Sequence, residues 1–230
     1  MSQILKNQLA GMIEATRLEV SVTQEEIGQL CEQAIPLRLY GVCVPPCWVK
    51  YACKRLGQTG IKTITVAGFP YGYERVNIKA YQLQVAAEYG AHEVDYVINI
   101  SGYFSEGVGA IKAEAQALSK VAKDHGLLLK GIIETALLSD AQKIESAKVL
   151  FAAGVDMIKT STGTIAGGGA KTKDVILLRK RVSSDMKIKA SGEIRTFRQA
   201  WALVKAGACR IGTSHAAEIL ERHGASTANH

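Results

Sequence analysis

The sequence has no long hydrophobic run, and this absence excludes a membrane-spanning helix. No stretch of its 230 residues approaches the roughly 18 consecutive apolar residues that a bilayer requires. Residues 1–12 also lack the continuous apolar segment and the small-residue cleavage site of a signal peptide. We therefore expect a protein that makes no contact with a membrane and that works in the cytoplasm.

Cysteine is scarce and unpatterned. The five cysteines are an odd number and contain no C-x-x-C pair, namely Cys31, Cys43, Cys47, Cys53 and Cys209. Neither a disulfide framework nor a zinc site is therefore indicated. We expect mostly buried free thiols and no bound metal.

Nucleotide-binding and nucleic-acid-binding motifs are also missing. The chain contains no G-x-G-x-x-G and no Walker A pattern. Its formal net charge is +7, but the basic residues are scattered, and no basic patch interleaved with aromatic residues appears. We predict no nucleic-acid partner. The positive balance either favours an anionic small substrate or only aids solubility.

What the sequence does contain is a regular alternation of short β-branched runs with amphipathic stretches. The predicted strands are 11–15, 40–44, 62–67, 94–100, 128–134, 155–159, 187–190 and 209–212; the predicted helices are 24–35, 47–56, 76–89, 108–124, 140–152, 173–182, 197–205 and 214–220. Gly90, Gly154 and Gly207 read as helix C-caps before a following strand. Eight such units favour one closed (β/α)8 barrel over residues 1–220, with a flexible tail over 221–230.

Lys159 is the most informative residue, because it ends an apolar run and precedes a loop rich in Ser, Thr and Gly. Desolvation and a neighbouring cation both disfavour an ammonium ion, so a lysine in such a place can attack a carbonyl as the free amine. Lys189 has a matching position, and it supplies that cation if the two strands are neighbours. A single strand-end lysine more often only extends to solvent. Two of them favour a site that forms a Schiff base.

Other ionisable residues lie near the predicted strand ends. Alternation puts Asp95 on one strand face with Val97 and Asn99, where its carboxylate needs a partner that Lys159 or Lys189 could provide. Lys130 and Glu134 share a face of the fifth strand, and we interpret them as a structural pair.

Three loops carry anion-binding features. Thr162 and Gly163 begin a glycine-rich loop after the sixth strand, Ser191 and Gly192 follow the seventh, and Ser214 follows the eighth. In barrels of this class such loops often bind phosphate through backbone N–H groups. Each loop alone is a weak signal, because glycines there often serve only the turn.

Six segments in order resemble the deoxyribose-phosphate aldolase family of class I aldolases. They are VCVPPCWV (42–49), TVAGFP (65–70), EVDYVINI (93–100), IKTSTG (158–163), KASGEIRT (189–196) and RIGTS (210–214). The resemblance extends over about residues 23–220. It implies a (β/α)8 barrel that cleaves 2-deoxy-D-ribose 5-phosphate to glyceraldehyde 3-phosphate and acetaldehyde, and that runs the reverse addition.

The same resemblance assigns roles. Lys159 matches the Schiff-base lysine, Lys189 the lysine that lowers its pKa, and Asp95 the acid/base that works through water. Substrate contacts are expected from the residues Cys43, Thr162, Gly163, Ser191, Gly192, Glu193 and Ser214. No metal or cofactor is implied, since the iminium serves as the electron sink. Related barrels are often dimers, so a homodimer is expected.

Four positions depart from the family pattern near the expected substrate end. Glu193 replaces a glycine of the phosphate loop, Ala15 and Pro45 replace common polar residues, and His215 replaces a small one. The leading hypothesis is the aldolase acting on deoxyribose 5-phosphate. An alternative keeps the Schiff base but takes a different acceptor, either an aldehyde without phosphate or another sugar phosphate, and Glu193 favours it. A third, less favoured because Lys159, Lys189 and Asp95 are all present, is a catalytically silent barrel that binds a sugar phosphate.

Overall fold

Eight parallel strands close into a barrel, and they follow one another around it in chain order. The structure is a computed structural model, and it describes residues 3–221. Its strands are β1 (Ile13–Thr16), β2 (Gly41–Cys43), β3 (Lys62–Ala67), β4 (Glu93–Val97), β5 (Leu128–Ile132), β6 (Met157–Lys159), β7 (Lys187–Ser191) and β8 (Arg210–Thr213). The predicted (β/α)8 barrel is confirmed.

Helices surround the barrel, and two of them were not predicted. The α-helices are α1 (Gln3–Ala10), α2 (Gln24–Ala34), α3 (Val49–Leu56), α4 (Val76–Glu88), α5 (Ile100–Glu106), α6 (Val108–Asp124), α7 (Asp140–Ala152), α8 (Thr172–Arg181), α9 (Phe197–Lys205) and α10 (Ala216–Glu221). Short 3-10 turns cover Pro46–Trp48 and Thr135–Leu137. The unpredicted helices are α1, which precedes the first strand, and α5, which follows β4.

Local sequence explains where several elements begin and end. Thr23, Ser139 and Thr196 form capping boxes at the starts of α2, α7 and α9, so each satisfies backbone N–H groups that the helix leaves free. Gly90, Gly154 and Gly207 all have positive φ angles after α4, α7 and α9, as predicted for C-caps.

Two predicted strands end at least two residues earlier than expected. Strand β4 ends at Val97, because the Asn99 side chain accepts a hydrogen bond from Gly102 N and caps α5. The prediction that Asn99 shares a strand face with Asp95 is therefore wrong. Strand β5 ends at Ile132, and Glu134 lies beyond it with a left-handed φ of 49°. This break in alternation separates Glu134 from Lys130.

The hydrophobic core is a shell between the sheet and the helices. It contains strand residues such as Val42, Tyr96 and Ile188 together with helix residues such as Ile27 and Leu150. A second, much smaller apolar cluster consists of Cys43, Ile64 and Val66. Because the strands alternate, their other side chains meet inside the barrel, where charged residues dominate.

Three further expectations concern cysteines, membranes and the tail. Only Cys31 and Cys43 are buried, whereas Cys53 and Cys209 are partly exposed and Cys47 is exposed, so the expectation of mostly buried thiols is wrong. Among residues 3–221, no helix is both long and apolar enough to span a bilayer. Apart from Glu221, the predicted tail 221–230 lies outside the described residues.

Candidate active site

Seven charged side chains meet inside the barrel, and we call them the ionic core. They are the carboxylates Glu14, Glu93 and Asp95 and the cations Lys130, Lys159, Lys189 and Arg210. All are buried, with relative exposures between 0% and 9%. Charges so far from water are stable only when they are paired and hydrogen-bonded, and the contacts below provide that pairing.

Asp95 is the hub of the ionic core. Its Oδ2 accepts hydrogen bonds from Lys159 Nζ at 2.9 Å and from Lys189 Nζ at 2.6 Å, and its Oδ1 accepts one from Lys130 Nζ at 2.8 Å. The expectation that Asp95 pairs with Lys159 or Lys189 is confirmed for both lysines.

Lys130 and Lys189 are bound more completely than Lys159. Lys130 Nζ lies 2.5 Å from Glu93 Oε2 and 3.4 Å from Glu14 Oε1, in addition to its bond with Asp95. Lys189 donates to Glu14 as well as to Asp95. Among the residues described, Lys159 makes an ion pair with Asp95 only.

These contacts shift several pKa values. Burial alone would raise the pKa of Asp95, but Lys130, Lys159 and Lys189 hold it well below its usual value. Burial likewise opposes charge on Lys189, yet Asp95 and Glu14 raise its pKa above the ordinary lysine value. Asp95 is thus an anion and Lys189 a cation at neutral pH.

The barrel register brings these residues together. Lys159 and Lys189 are direct partners across β6 and β7, so the strand adjacency expected from sequence is confirmed. Asp95 and Lys130 are partners across β4 and β5. Gly212 in β8 leaves space for Lys189, because a Cβ atom there would lie 3.0 Å from Lys189 Cε.

A cavity of about 440 Å³ opens at the carboxyl ends of the strands, and Lys159 reaches it. Its volume suits a small metabolite. Six of the residues predicted to contact substrate line it together with Lys159, namely Thr162, Gly163, Ser191, Gly192, Glu193 and Ser214. The structure therefore brings the amine and the three predicted anion-binding loops to one cavity.

Cys43 has a different position from the one expected. It is fully buried in the small apolar cluster with Ile64 and Val66, and it is not among the residues that line the cavity. Burial raises the pKa of the Cys43 thiol to about 11, so it is neutral at physiological pH. Cys43 supports the cavity floor rather than presenting a reactive thiolate.

Phe69 lines the cavity beside Lys159. Its ring centroid lies 6.0 Å from Lys159 Nζ. The loop that carries it is anchored by Gly68 N, which donates to Gln82 Oε1 at 2.8 Å. An apolar ring beside the amine keeps water from that side of the reacting group.

Glu193 also lines the cavity, and it has a strained backbone conformation. Its φ is 58°, a region that favours glycine, and its side chain is exposed. Among residues 3–221, Glu193 and Arg195 form no ion pair, although both side chains line the cavity. Gly169 packs against it, because a Cβ on Gly169 would meet Glu193 Cβ at 2.6 Å.

The expected pair of Lys130 with Glu134 is wrong. Lys130 points into the ionic core, whereas Glu134 Oε2 accepts hydrogen bonds from Thr162 N at 3.0 Å and from the Thr162 hydroxyl. Glu134 therefore anchors the start of the loop that follows Lys159. Its left-handed backbone turns the side chain out of strand alternation, a change that residue spacing does not reveal.

Sequence reasoning missed Glu14, Glu93, Tyr40 and Arg210. Glu14 interrupts an apolar strand, and Glu93 precedes Asp95 by two residues, so alternation could have placed both inside the barrel. No sequence signal marks Tyr40, whose hydroxyl donates to Glu93 and whose ring centroid lies 3.1 Å from Arg210 Cζ. Over residues 3–221, no group of three or more His, Cys, Asp or Glu side chains is arranged to hold a metal ion.

Comparisons with known proteins agree with this geometry. The model of the DeoC/LacD family of aldolases matches residues 10–219. A deoxyribose-phosphate aldolase from Caldicellulosiruptor saccharolyticus is 40% identical over 216 residues, which are 94% of this chain and 98% of that protein. Another from Caldanaerobacter subterraneus is 41% identical over 214 residues, covering 93% of this chain and 92% of that protein. The deoxyribose phosphate aldolase of Aeropyrum pernix, described as a unique tetrameric structure, has 30% identity and a TM-score of 0.89 over 96% of this chain and 92% of its own.

Proposed function

Because the chain belongs to the DeoC/LacD family of aldolases, we propose that it reversibly cleaves 2-deoxy-D-ribose 5-phosphate through a Schiff base on Lys159. The products are D-glyceraldehyde 3-phosphate and acetaldehyde. The observation that carries this proposal is that Lys159 lines the cavity while its Nζ also contacts the hub carboxylate Asp95. An amine so placed can reach a bound carbonyl and exchange protons with a buried base.

The first half of the reaction forms the covalent intermediate. The free amine of Lys159 attacks C1 of the open-chain sugar, and loss of water from the carbinolamine gives an iminium. Asp95, which is ionised, receives the proton of the C3 hydroxyl through a water molecule. The C2–C3 bond then breaks, its electron pair moves toward the iminium nitrogen, and glyceraldehyde 3-phosphate leaves.

The second half restores the enzyme. The remaining enamine takes back at C2, from Asp95 through water, the proton that left the C3 hydroxyl, which regenerates an iminium. Water then hydrolyses this iminium to release acetaldehyde and free Lys159. Lys189 stays protonated beside Asp95 at 2.6 Å, so it keeps the carboxylate in position and opposes protonation of Lys159 by charge repulsion. Proton donors and acceptors are balanced over the cycle.

The phosphate end of the substrate fits the loops opposite Phe69. Gly163, Gly169 and Gly192 pack so closely that a Cβ on Gly192 would lie 3.1 Å from Gly169 Cα and 3.2 Å from Gly163 Cα. This close packing brings backbone near the ligand, and Ser214 adds an exposed hydroxyl. His215 and Arg195 line the same region, and Arg195 adds a positive charge.

Glu193 favours a second candidate, in which the same Schiff base acts on an aldehyde acceptor without phosphate. A carboxylate on the cavity wall repels a phosphate dianion and leaves a neutral acceptor unaffected. We rank this reading second, because Ser214, Arg195 and the glycine loops still describe an anion site.

Two measurements test these readings. Borohydride reduction in the presence of acetaldehyde should add a two-carbon group to the peptide that contains Lys159, and Lys159→Met should abolish the adduct. A product assay should show faster turnover of deoxyribose 5-phosphate than of unphosphorylated deoxyribose. An active enzyme without the Lys159 adduct would refute the Schiff base, and equal or better turnover of the free sugar would favour the second candidate.

Assembly and location complete the proposal. We propose a homodimer, as the family resemblance implies, and a location in the cytoplasm, which the lack of a cysteine framework for an oxidising compartment supports. Light scattering coupled to size exclusion distinguishes a dimer from the tetramer described for the Aeropyrum pernix enzyme. Cell fractionation with an antibody against the chain tests the location.

A further inference from the structure

The ionic core contains one cation more than it has carboxylates. Lys130, Lys159, Lys189 and Arg210 face only Glu14, Glu93 and Asp95. An unbalanced charge in a closed interior is costly, because no water compensates it. Release of one proton from a lysine makes the ionic core neutral.

The contacts decide which lysine releases that proton. Lys130 contacts all three carboxylates and Lys189 contacts two of them, whereas Lys159 contacts Asp95 alone. Arg210 stays protonated, as arginine side chains do in proteins. Lys159 is therefore the lysine whose charge the carboxylates stabilise least, and it is also the one that reaches the cavity.

The charge that creates the excess lies at the far end of the barrel. Arg210 begins β8 and Glu93 begins β4, whereas Lys159 is the last residue of β6. The Arg210 guanidinium stacks on Tyr40, and its Nε lies 3.5 Å from Glu14 Oε1. The Tyr40 hydroxyl donates to Glu93, which holds Lys130 at 2.5 Å. Contacts thus continue from Arg210 through Glu14 or Lys130 to Asp95 and Lys159.

We propose that Arg210 and Glu93 are positioning residues that set, from the amino-terminal end of the barrel, the fraction of Lys159 present as the free amine. Neither residue lines the cavity. Arg210 supplies the cation that makes release of a proton favourable. The carboxylate of Glu93 favours the protonated lysine and so lowers the fraction of free amine. This inference rests on the proposed function, since a free amine matters only if Lys159 attacks a carbonyl.

Every strand that contributes an ionisable side chain to this interior also affects the balance between the free amine and the ammonium form of Lys159. Asp95 on β4, Lys130 on β5 and Lys189 on β7 act through direct contacts described above. Glu14 on β1 acts through Lys189, and Cys43 on β2 is a neutral thiol at physiological pH. Arg210 and Glu93 differ from these residues because they can be changed without touching Asp95 or Lys159.

The test measures the pH dependence of acetaldehyde trapping at Lys159 by borohydride, followed by mass spectrometry of the modified peptide. Arg210→Met removes the excess cation, so Lys159 stays protonated to higher pH and the midpoint of the trapping curve shifts to higher pH. Glu93→Gln removes a carboxylate, so the midpoint shifts to lower pH. At an effective dielectric constant of about 20, each shift is on the order of one pH unit.

Further variants separate charge from packing. Arg210→Lys keeps the charge and should leave the curve near that of the parent. The double variant Arg210→Met/Glu93→Gln removes one charge of each sign. Its midpoint should differ from that of the parent by less than about half of the shift in either single variant. Lys205→Met removes an exposed charge on α9 and serves as the matched control, with no shift expected.

The outcomes are distinct. Opposite shifts in Arg210→Met and Glu93→Gln support the inference, and if one variant does not fold, the sign of the other decides it. Shifts in the same direction, or an unmoved curve with only a lower rate or stability, overturn it. Absence of any adduct at Lys159 in the parent overturns the proposed function instead, so the two failures are distinguishable.

Discussion

Glu193 has the backbone conformation of a glycine and a charged side chain on the cavity wall. Within residues 3–221 it forms no ion pair, so solvent alone screens its carboxylate. Since the loops around it contain the residues best suited to bind phosphate, the charge of this one side chain bears directly on substrate choice.

Glu193→Gln should lower KM for deoxyribose 5-phosphate by about threefold to tenfold. Removing a like charge near a phosphate changes the interaction by roughly 1 kcal/mol at water-like screening, and by more at lower effective dielectric. Unphosphorylated deoxyribose should show little change in KM, because it lacks the dianion. Steady-state kinetics with both sugars measures the effect.

Glu88→Gln, at an exposed position on α4, is the matched control and should leave both KM values unchanged. An equal response of the two sugars to Glu193→Gln would mean that the carboxylate faces solvent and does not act on the phosphate.

At the scale of secondary-structure elements, a buried ion pair fixes the loop that carries Phe69. Lys79 on α4 donates to Glu114 on α6 at 2.6 Å, to Gly72 O at 2.5 Å and to Val97 O at 2.8 Å. Glu114 in turn accepts from Asn99 N at 2.9 Å. The pair therefore joins two helices to the carboxyl ends of β3 and β4, beside the cavity.

Glu114→Ala should lower the free energy of unfolding by about 3–5 kcal/mol, because it leaves Lys79 buried without its counter-ion. Urea denaturation monitored by circular dichroism measures the loss. The double variant Lys79→Met/Glu114→Leu should recover part of this stability, since it leaves no buried charge unpaired. A double variant that is less stable than the single one would show that the Lys79–Glu114 pair contributes net stability beyond offsetting the cost of burying its two charges.

At the scale of the whole molecule, the barrel interior is ionic while the hydrophobic core lies outside it. Its folded state therefore depends on pH. The pKa values of Asp95 and Glu93 are lowered although burial opposes this, because Lys130 and other cations stabilise their charged forms. Their stabilisation is complete above the unfolded pKa of about 4 and is lost as pH falls through the folded values.

The free energy of unfolding should fall steeply as pH decreases below about 4. Glu114 acts in the opposite sense, since burial raises its pKa, but it is one group against two. Urea denaturation at several acidic pH values should show a shallower dependence for Asp95→Asn than for the parent. Equal slopes would mean that Asp95 does not contribute to acid unfolding.

The sequence alone determined the barrel, and it singled out Lys159 as the candidate for the Schiff base. Eight alternating units and glycine caps at Gly90, Gly154 and Gly207 follow from local periodicity and backbone freedom, which a one-dimensional pattern contains. The position of Lys159 at the end of an apolar strand and before a Thr/Ser/Gly loop can also be read from the sequence alone. Helix α5 was missed because its signal, the Asn99 cap, stands inside a run that also reads as a strand.

Tertiary structure decided which charges share the barrel interior. Closure places β1, β4 and β8 around one axis, so that Glu14 and Arg210 join Glu93 and Asp95 although these strands are far apart in the chain. It also paired Lys130 with three carboxylates rather than with Glu134, and it buried Cys43 in a small apolar cluster. Electrostatic energy depends on distances in space, which residue spacing does not contain, so only the folded barrel determines the charge that Lys159 experiences.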